Sequence, residues 1–582
     1  MESAEQLVTD NLDVWTSAIK LKSSVGRGNN RKLELYGIKK LRELILDLAV
    51  RGLLVSQDPD DVPASDLLKK IAAEKAKLVK DGKIKKPKSL VPMEGAEKPF
   101  DLPKGWEWVR LCEVGFTQTG GTPKKADAHH YGQFIPFIKP GDIHDGKIIS
   151  FENDGLSEEG AASLGRIAPE DSLLMVCIGT IGKCALVDRN VAFNQQINSV
   201  TPFIKMGDYI LMACRAAYFQ SIAWDASSST TLSILNKGKW EKIPVPLAPL
   251  EEQHRIVAKV EQLMALCDQL EQQEEVSIDA HHTLVKTLLE ALTTAGEREG
   301  FAAAWERIAE HFDTLFTTEW SIDQLKQTIL GLAVMGKLVP QDPSDEPASE
   351  LLKRIAAEKA QLVNDGKIKK LKALPSIEDD EKPFELCEGW EWCRLQEAID
   401  VRDGTHDSPK DAVGGTTYPL VTSKNFAGGR IDFEGARRIS EEDHLEISKR
   451  SYVEVDDVLF SMIGGNIGNQ VLVQDSRPFS VKNVALFKYF LKSATIPRFF
   501  KIYTEKLALE LQDVASGGAQ PFISLGNLRK LVFALPPSNE QQRIVAKVDE
   551  LMALCDTLKI RLNTAQSTQV KIAEAMADKA VA

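Results

Sequence analysis

The run Gly179-Thr-Ile-Gly-Lys183 comes near to a phosphate-binding loop, in which backbone amides cradle phosphates, a lysine reaches them and a following hydroxyl holds magnesium. Here Cys177 occupies the place of the first required glycine and Cys184 the place of the hydroxyl residue, so the loop is incomplete. Leu535-Pro-Pro-Ser538 has two prolines but lacks the Asn or Asp before them and the aromatic after them that would hold an amino group for methylation. No Gly-x-Ser-x-Gly or His-Glu-x-x-His run occurs. His129-His130 and His281-His282 are adjacent pairs. Chain neighbours do not share a helix face, so each pair reads as a solvated loop or face rather than a metal site. The eight cysteines form no Cys-x-x-Cys pair; Cys387 and Cys393 have no nearby partner pair. Asp and Glu are abundant, which leaves a scattered nuclease site open, but no spacing argues for one. The residues therefore predict no catalytic group and no metal.

A chain of 582 residues exceeds one core, and two to four domains are expected. A hydrophobic share of 43% with 27% charged residues suits well-buried cores. No apolar run of eighteen residues exists and the N-terminus is acidic, so neither a membrane span nor an export signal is expected; this points to the cytoplasm. The net charge of −12 runs against nucleic-acid binding, which draws on Lys and Arg. A local positive face, together with phosphate contacts from a partner subunit, would reconcile the two.

The chain is written twice. Leu41 to Lys86 matches Leu325 to Lys370 at an offset of 284, with 33 of 46 positions identical. The match resumes as Glu97-Lys-Pro-Phe and Gly105-Trp-Glu-Trp against Glu381-Lys-Pro-Phe and Gly389-Trp-Glu-Trp. Glu251 to Leu270 matches Asn539 to Leu558 at an offset of 288, with 15 of 20 identical. Between these blocks lie Val109 to Leu250 and Cys393 to Ser538, similar in length and almost unrelated in residues. Uniform drift after a duplication would blur everything alike. A frame kept nearly identical around two divergent inserts fits a frame that meets one symmetric partner twice while each insert recognises something different.

The frame reads as helix. Ser65 is the expected N-cap after Pro63, Leu68, Ile71 and Leu78 recur at helical spacing, and Gly82 is the expected stop. Phe301, Trp305, Ile308, Phe312 and Leu315 form another apolar stripe. Ile256, Val260, Leu263, Cys267 and Leu270, continued by Val285, Leu288 and Leu292, give one narrow seam. Ile544, Val548, Leu551, Cys555, Leu558 and Leu562 give its copy. A narrow seam on a charged helix suits a two-helix coiled pair, and antiparallel pairing of the two copies is expected. Packing of each helix on its own domain is the alternative. The inserts read mainly as strands, at Phe134 to Ile138, Ser172 to Ile178, Val191 to Val200, Val455 to Ile463 and Val481 to Phe490. Gly179 to Gly182 and Gly464 to Gly468 read as hairpin turns. The four Trp of the Gly-Trp-Glu-Trp runs read as packing groups.

These residues carry a resemblance. Ile243-Pro-Val-Pro-Leu-Ala-Pro-Leu250 followed by Glu252-Gln253-His-Arg-Ile-Val, and Leu535-Pro-Pro-Ser-Asn-Glu540-Gln-Gln-Arg-Ile-Val, resemble the ends of target-recognition domains of specificity subunits of type I restriction–modification enzymes. Gly105-Trp-Glu-Trp-Val-Arg-Leu, Gly120-Gly-Thr-Pro123, Gly404-Thr-His406 and Tyr418 to Asn425 are similar to the starts and early loops of such domains. The likeness spans nearly the whole chain. It implies an α+β fold: two mixed α/β target-recognition domains in pseudo-twofold arrangement, separated by an antiparallel pair of long spacer helices. The expected segments are a helical frame region over 1–104, a first recognition domain over 105–250 and a central spacer helix over 251–295. A second frame region over 296–388, a second recognition domain over 389–538 and a C-terminal spacer helix over 539–582 follow. The resemblance also implies a non-catalytic subunit that reads the halves of a bipartite, asymmetric site on double-stranded DNA. Two methyltransferase subunits would bring S-adenosylmethionine and motor-nuclease subunits ATP and magnesium, with no cofactor on this chain. An enzyme with its own recognition domains and a pure coiled-coil scaffold are the other readings.

Base readout needs polar side chains on groove-entering loops, and phosphate contact needs Lys, Arg or small hydroxyls. On that basis the expected DNA contacts in the first insert are Thr122, Lys124, Lys125, His129, His130, Lys139, Thr180 and Lys183. In the second they are Arg402, Thr405, His406, Lys410, Ser423, Lys424, Asn425, Asn466 and Lys482. Ser227 to Thr231 and Ser516 to Gln520 are expected to be further contact loops.

Overall fold

The computed structural model describes residues 4–22, 32–86, 90–124, 128–144, 146–228, 232–295, 298–370, 372–412, 414–515 and 522–581. The chain divides into two units. One holds residues 1–24, 29–277 and 565–582; the other holds 25–28 and 278–564. Each unit thus owns one frame copy, one insert, and parts of both long helices.

In the first unit, the frame helices α1 (Tyr36–Val50) and α2 (Ala64–Lys80) bury Leu41, Ile45, Ala49, Leu67 and Ile71 in one core. The helix α2 starts two residues earlier than its sequence suggests. Pro63 is the cap, at φ −62° and ψ 152°, and no side chain caps the first turn, so Ser65 is inside the helix. Proline already holds the extended cap geometry. Gly82, at φ +70°, ends the helix as expected.

Strand β1 (Glu107–Arg110) opens the insert, and β2 (Gly115–Thr119), β3 (Tyr131–Ile138) and β4 (Gly155–Leu156) follow. After helix α3 (Glu158–Leu164) come β5 (Ile167–Ala168), β6 (Leu173–Val176), β7 (Cys184–Leu186), β8 (Val191–Phe193), β9 (Ile197–Pro202) and β10 (Pro244–Leu247). One sheet has the order β7-β6-β9-β2, a second β4-β3-β8-β5, and β1 pairs antiparallel with β10. Helix α4 (Leu250–Thr294) then begins, 45 residues long.

The second unit repeats this plan. Its frame helices are α5 (Glu319–Val334) and α6 (Ala348–Asn364). Its strands are β11 (Glu391–Arg394), β12 (Ile399–Asp403), β13 (Thr417–Val421), β14 (Arg437–Ser440), β15 (Val458–Ser461), β16 (Gln470–Leu472), β17 (Ser480–Val481), β18 (Val484–Tyr489) and β19 (Val532–Leu535). The orders β16-β15-β18-β12 and β14-β13-β17, with β11 on β19, match the first unit strand for strand except for the extra β5. Helix α7 (Glu441–Ser451) stands where α3 stands, and α8 (Ser538–Val581) is the second long helix, 44 residues. At 1.5 Å per residue both long helices exceed 60 Å.

The apolar seams are buried as their spacing predicts. Ile256, Leu263 and Cys267 share a core with Val570 and Ala573 in the first unit, and Val285 and Leu292 share one with Ile544, Val548 and Cys555 in the second. The early part of one long helix therefore lies with the late part of the other, the order of an antiparallel pair. Three expectations need correction. Trp305 is 48% exposed, and Ala304 takes the buried place beside Ile308. The inserts also contain helices that their strand-rich composition hides, among them Gly207–Arg215 and Pro497–Ala515. Finally, the runs 191–200 and 481–490 are not single strands: each breaks and continues in a different sheet.

The first turn of each long helix is pinned. Trp106 Nε1 donates to Glu252 Oε2 at 2.9 Å and Trp390 Nε1 to Glu540 Oε2 at 3.0 Å, all four side chains being buried. Arg255 pairs with Asp61 at 2.6 Å and Arg543 with Asp345 at 2.7 Å. Burial pushes both glutamate carboxyls up, against the lowering effect of the indole N–H. Replacing Glu540 by Ala strands a buried indole donor and should cost about 1–3 kcal/mol in chemical unfolding. Glu540→Gln should fall between, since it keeps the Trp390 acceptor but meets the Gln341 amide donor to donor. A carboxyl raised by folding binds its proton more tightly in the native state. The Glu540 contribution should therefore decline as pH rises from the unfolded carboxylate range through the raised native value, and Glu540→Gln should remove that slope.

Candidate nucleic-acid interface

The strand breaks build the same small platform in both inserts. In the first unit the chain leaves β8, runs parallel to β3 up to the Phe193–Ile138 pair, and crosses through Asn194, Gln195 and Gln196 into β9. In the second it leaves β17 at the Val481–Val421 pair and crosses through Lys482 and Asn483 into β18. The Asn194 N–H donates to the Ile138 carbonyl and the Lys482 N–H to the Val421 carbonyl, each at 2.9 Å. Gly121 N donates to Phe193 O at 3.0 Å, and Thr405 N to Val481 O at 2.9 Å.

Glycine is required beside each crossing. A β-carbon on Gly120 would lie 2.2 Å from the Phe193 oxygen, and one on Gly404 2.5 Å from the Val481 oxygen. This is the physical meaning of the Gly120-Gly-Thr and Gly404-Thr-His runs. The residue two positions beyond each glycine then touches the crossing. Thr122 Oγ1 donates to Gln195 Oε1, and His406 Nδ1 lies 3.2 Å from Asn483 Oδ1 while its Nε2 lies 3.0 Å from Asp403 Oδ2.

The other expected contacts fall into three groups. Lys139 and Ser423-Lys424-Asn425 sit in matched tight turns after β3 and β13, where Asp142 Oδ2 accepts from Lys139 N at 2.8 Å and Asn425 Oδ1 from Thr422 N at 2.9 Å. Asn425 is buried and braces its turn, so the structure corrects its assignment as a groove contact. Thr180 and Lys183 are exposed on the β6–β7 hairpin, and Asn466 on the β15–β16 hairpin. The first hairpin adjoins the crossing, with Cys177 N donating to Gln196 O at 2.8 Å.

Among the cations, Lys124, Lys410 and Lys424 are exposed. Lys139 is instead paired with Asp154 at 2.5 Å and Arg402 with Asp400 at 2.6 Å. The Lys482 ammonium donates to Ser408 Oγ, and Thr405 Oγ1 accepts from Asp407 N at 3.1 Å. His129 and His130 do converge with Glu159, their ligand atoms lying within 4.8 Å of one another, contrary to the expectation for chain neighbours. His129 Nε2 lies 3.5 Å from a Glu159 oxygen; both side chains are more than half exposed, which gives a polar contact on the surface rather than an enclosed coordination shell. Lys125, Ser229 to Thr231 and Ser516 to Gln520 lie outside the described residues.

Sequence reasoning missed Gln195 and Asn483, because both sit inside runs that look like continuous strands. The polar interruption Asn194-Gln-Gln196 was the available signal. It also missed Arg166, which donates to the Thr119 and Gly120 carbonyls at 3.1 and 2.9 Å, and Arg450, which pairs with Asp403. Each places a guanidinium beside the end of β2 or β12.

Comparison with known proteins meets this duplicated architecture directly. The family model for the type I restriction modification DNA specificity domain matches residues 103–280 and 387–566. The chain belongs to this family. It therefore carries two specificity domains, and a part in DNA recognition follows from that membership. The chain is 41% identical over 607 aligned residues to the Escherichia coli type I restriction enzyme EcoAI specificity subunit, and 41% identical over 606 to the EcoEI specificity subunit of the same species; each alignment covers 100% of both chains. A solved chain from a study of complex assembly in a type I restriction–modification system is 18% identical, with a TM-score of 0.47 over 83% of this chain and 99% of that one.

An exposed lysine beside the crossing is expected to act on phosphates rather than on base edges. Lys424→Ala should weaken DNA binding tenfold or less, equally for all sequences, and reduce the slope of log affinity against log salt by about one unit. Titration of the assembled complex across a salt series checks this; a change in preferred sequence would contradict it.

Proposed function

We propose that this chain chooses a split DNA sequence for a type I restriction–modification complex and performs no chemistry itself. Its two inserts read the two halves of an asymmetric site on double-stranded DNA, while methyltransferase and motor-nuclease subunits supply S-adenosylmethionine, ATP and magnesium. One observation carries this reading. Two inserts with almost unrelated residues keep one topology and one glycine-braced crossing, inside a frame whose contacts are the same twice. Constant scaffold with variable exposed polar groups is what two different sequence readers on one partner-binding frame require.

Replacing Val109 to Leu250 by the matching insert of a relative should change one half of the methylated motif and leave the other intact. Methylated-base mapping in cells expressing the chain with its partner subunits reads both halves together. A change in both halves would contradict the two-reader assignment. Methyl transfer by the rigorously purified chain alone would contradict its catalytic silence.

The long helices are the proposed ruler. Each passes between the units near Ser277 or Thr564. Inserting four residues at both points adds about 6 Å along the axis and nearly keeps the phase of the seam. DNA rises about 3.4 Å per base pair, so the unread gap should lengthen by one or two pairs, with both half-sites unchanged in sequence. An unchanged gap in an active insertion variant would show that the helices do not set the spacing.

A further inference from the structure

We infer that Gln195 and Asn483 are equivalent base-reading side chains, one in each recognition domain, presenting a carboxamide to the major-groove edge of one base pair in that domain's half of the target. This rests on the DNA-reading function proposed above and assigns residues within it. The two positions are equivalent by hydrogen bonding rather than by sequence. Each follows the residue whose N–H donates to the end of β3 or β13, and each precedes the strand whose first residue accepts from Gly120 or Gly404. Gly120 N donates to Ile197 O at 3.0 Å and Gly404 N to Val484 O at 2.9 Å.

Both side chains are exposed. Both are also held at one end only: the Gln195 oxygen accepts from Thr122, and the Asn483 oxygen faces His406 Nδ1. No hydrogen bond from either carboxamide nitrogen is made within the described residues. Gln195 held this way keeps two N–H donors and a second oxygen lone pair directed outward; at Asn483 the His406 tautomer decides which end of the carboxamide is held, and either way at least one N–H donor and one oxygen lone pair stay free. That donor–acceptor pair is the complement of adenine N7 and N6–H in the major groove. Holding the side chain in advance removes part of the rotamer entropy that binding would otherwise cost.

The differences between the sites also fit reading. The backbone hydrogen bonds that flank the crossing recur, although it has three residues in one domain and two in the other; the carboxamide is one methylene longer in the first, and its holder is a threonine there and an imidazole in the second. Neighbouring polar groups are less available for bases: Lys482 is tied to Ser408, Arg402 to Asp400, and Asn425 is buried. Asn483 has φ +55°, a conformation that Asn, Asp and Gly accept more readily than other residues.

Substitutions can therefore alter the reading group without straining the chain. Asn483→Asp and Gln195→Glu keep the shape, and Gln195→Glu also keeps the hydrogen bond accepted from Thr122, but both replace the N–H donors by an acceptor, which suits cytosine N4–H. Asn483→Gly removes the side chain and tolerates the same φ. Each variant, assembled with its methyltransferase subunits, is mapped for methylated motif against the parent. Asn483→Asp should shift the preferred base at one position of one half, lowering preference for the parental base about five- to hundredfold; Asn483→Gly should make that position indifferent; Gln195→Glu should act in the other half only. The inference is overturned by a motif equally sharp in Asn483→Gly, by one substitution changing both halves, or by reduced methylation with every preferred base unchanged. That last result is the mark of a structural brace. A parental complex that methylates no defined motif would sink the DNA-reading function itself, which separates its failure from that of the two residues.

Discussion

The architecture hangs on a buried carboxylate at the start of each long helix. Glu252 and Glu540 are almost fully buried, and an unpaired carboxylate in that position would be expensive. Each is stabilised by the indole of the tryptophan that opens the adjoining recognition domain, and its neighbour Gln253 or Gln541 donates to the chain just before the helix, at the Ala248 or Pro536 carbonyl. These bonds join three things at one point: the frame, the first strand of the insert and the helix that leaves it. A domain that must aim its surface at a duplex needs its root fixed in this way.

The root also explains why the inserts can differ so much. β1 pairs with β10, and β11 with β19, so both ends of each insert leave from one short antiparallel ladder. Everything between is relieved of fixing the frame and has only to satisfy its own two sheets. Burial enforces those sheets with different residues. Phe193 and Ile138 meet at the parallel pair in one insert, Val481 and Val421 in the other, and all four are buried. The crossing between the sheets is then a geometric necessity. A strand that supplies one sheet and continues into another must break, and the break exposes polar residues at an edge where a glycine has already cleared space.

The repeated frame was legible because helical periodicity is redundant over many residues. The seam from Ile256 to Leu292 buries as its spacing requires, and Cys267 and Cys555 are the small buried groups that their places in that seam implied. The inserts were less legible for a physical reason. Buried strands read as unbroken apolar runs, and nothing in the run from Val191 to Val200 states that its two halves serve different sheets. The candidate contacts suffered from the same limit. Sequence can show that Asn425 is polar and follows a strand, but only the fold shows that its side chain caps a turn and is buried, whereas Lys424 beside it faces outward. Cap residues and contact residues draw on the same short list of types.

The chain is acidic by composition, and many of its cations are already paired within the fold. Arg42 pairs with Asp268 and Glu271, Lys326 with Asp556, Lys559 with Asp323, and Arg110 and Arg394 with Glu97 and Glu381. These arginines and lysines secure helices and domain roots and are neutralised in doing so. Charges farther apart than about 8–10 Å are largely screened at physiological salt, so the net charge of −12 says little about the field at a particular crossing. Lys124, Lys410 and Lys424 are exposed on the inserts, where a phosphate contact would act locally whatever the net charge of the chain. Such a chain suits an assembly in which other chains hold the duplex and this one decides where they act.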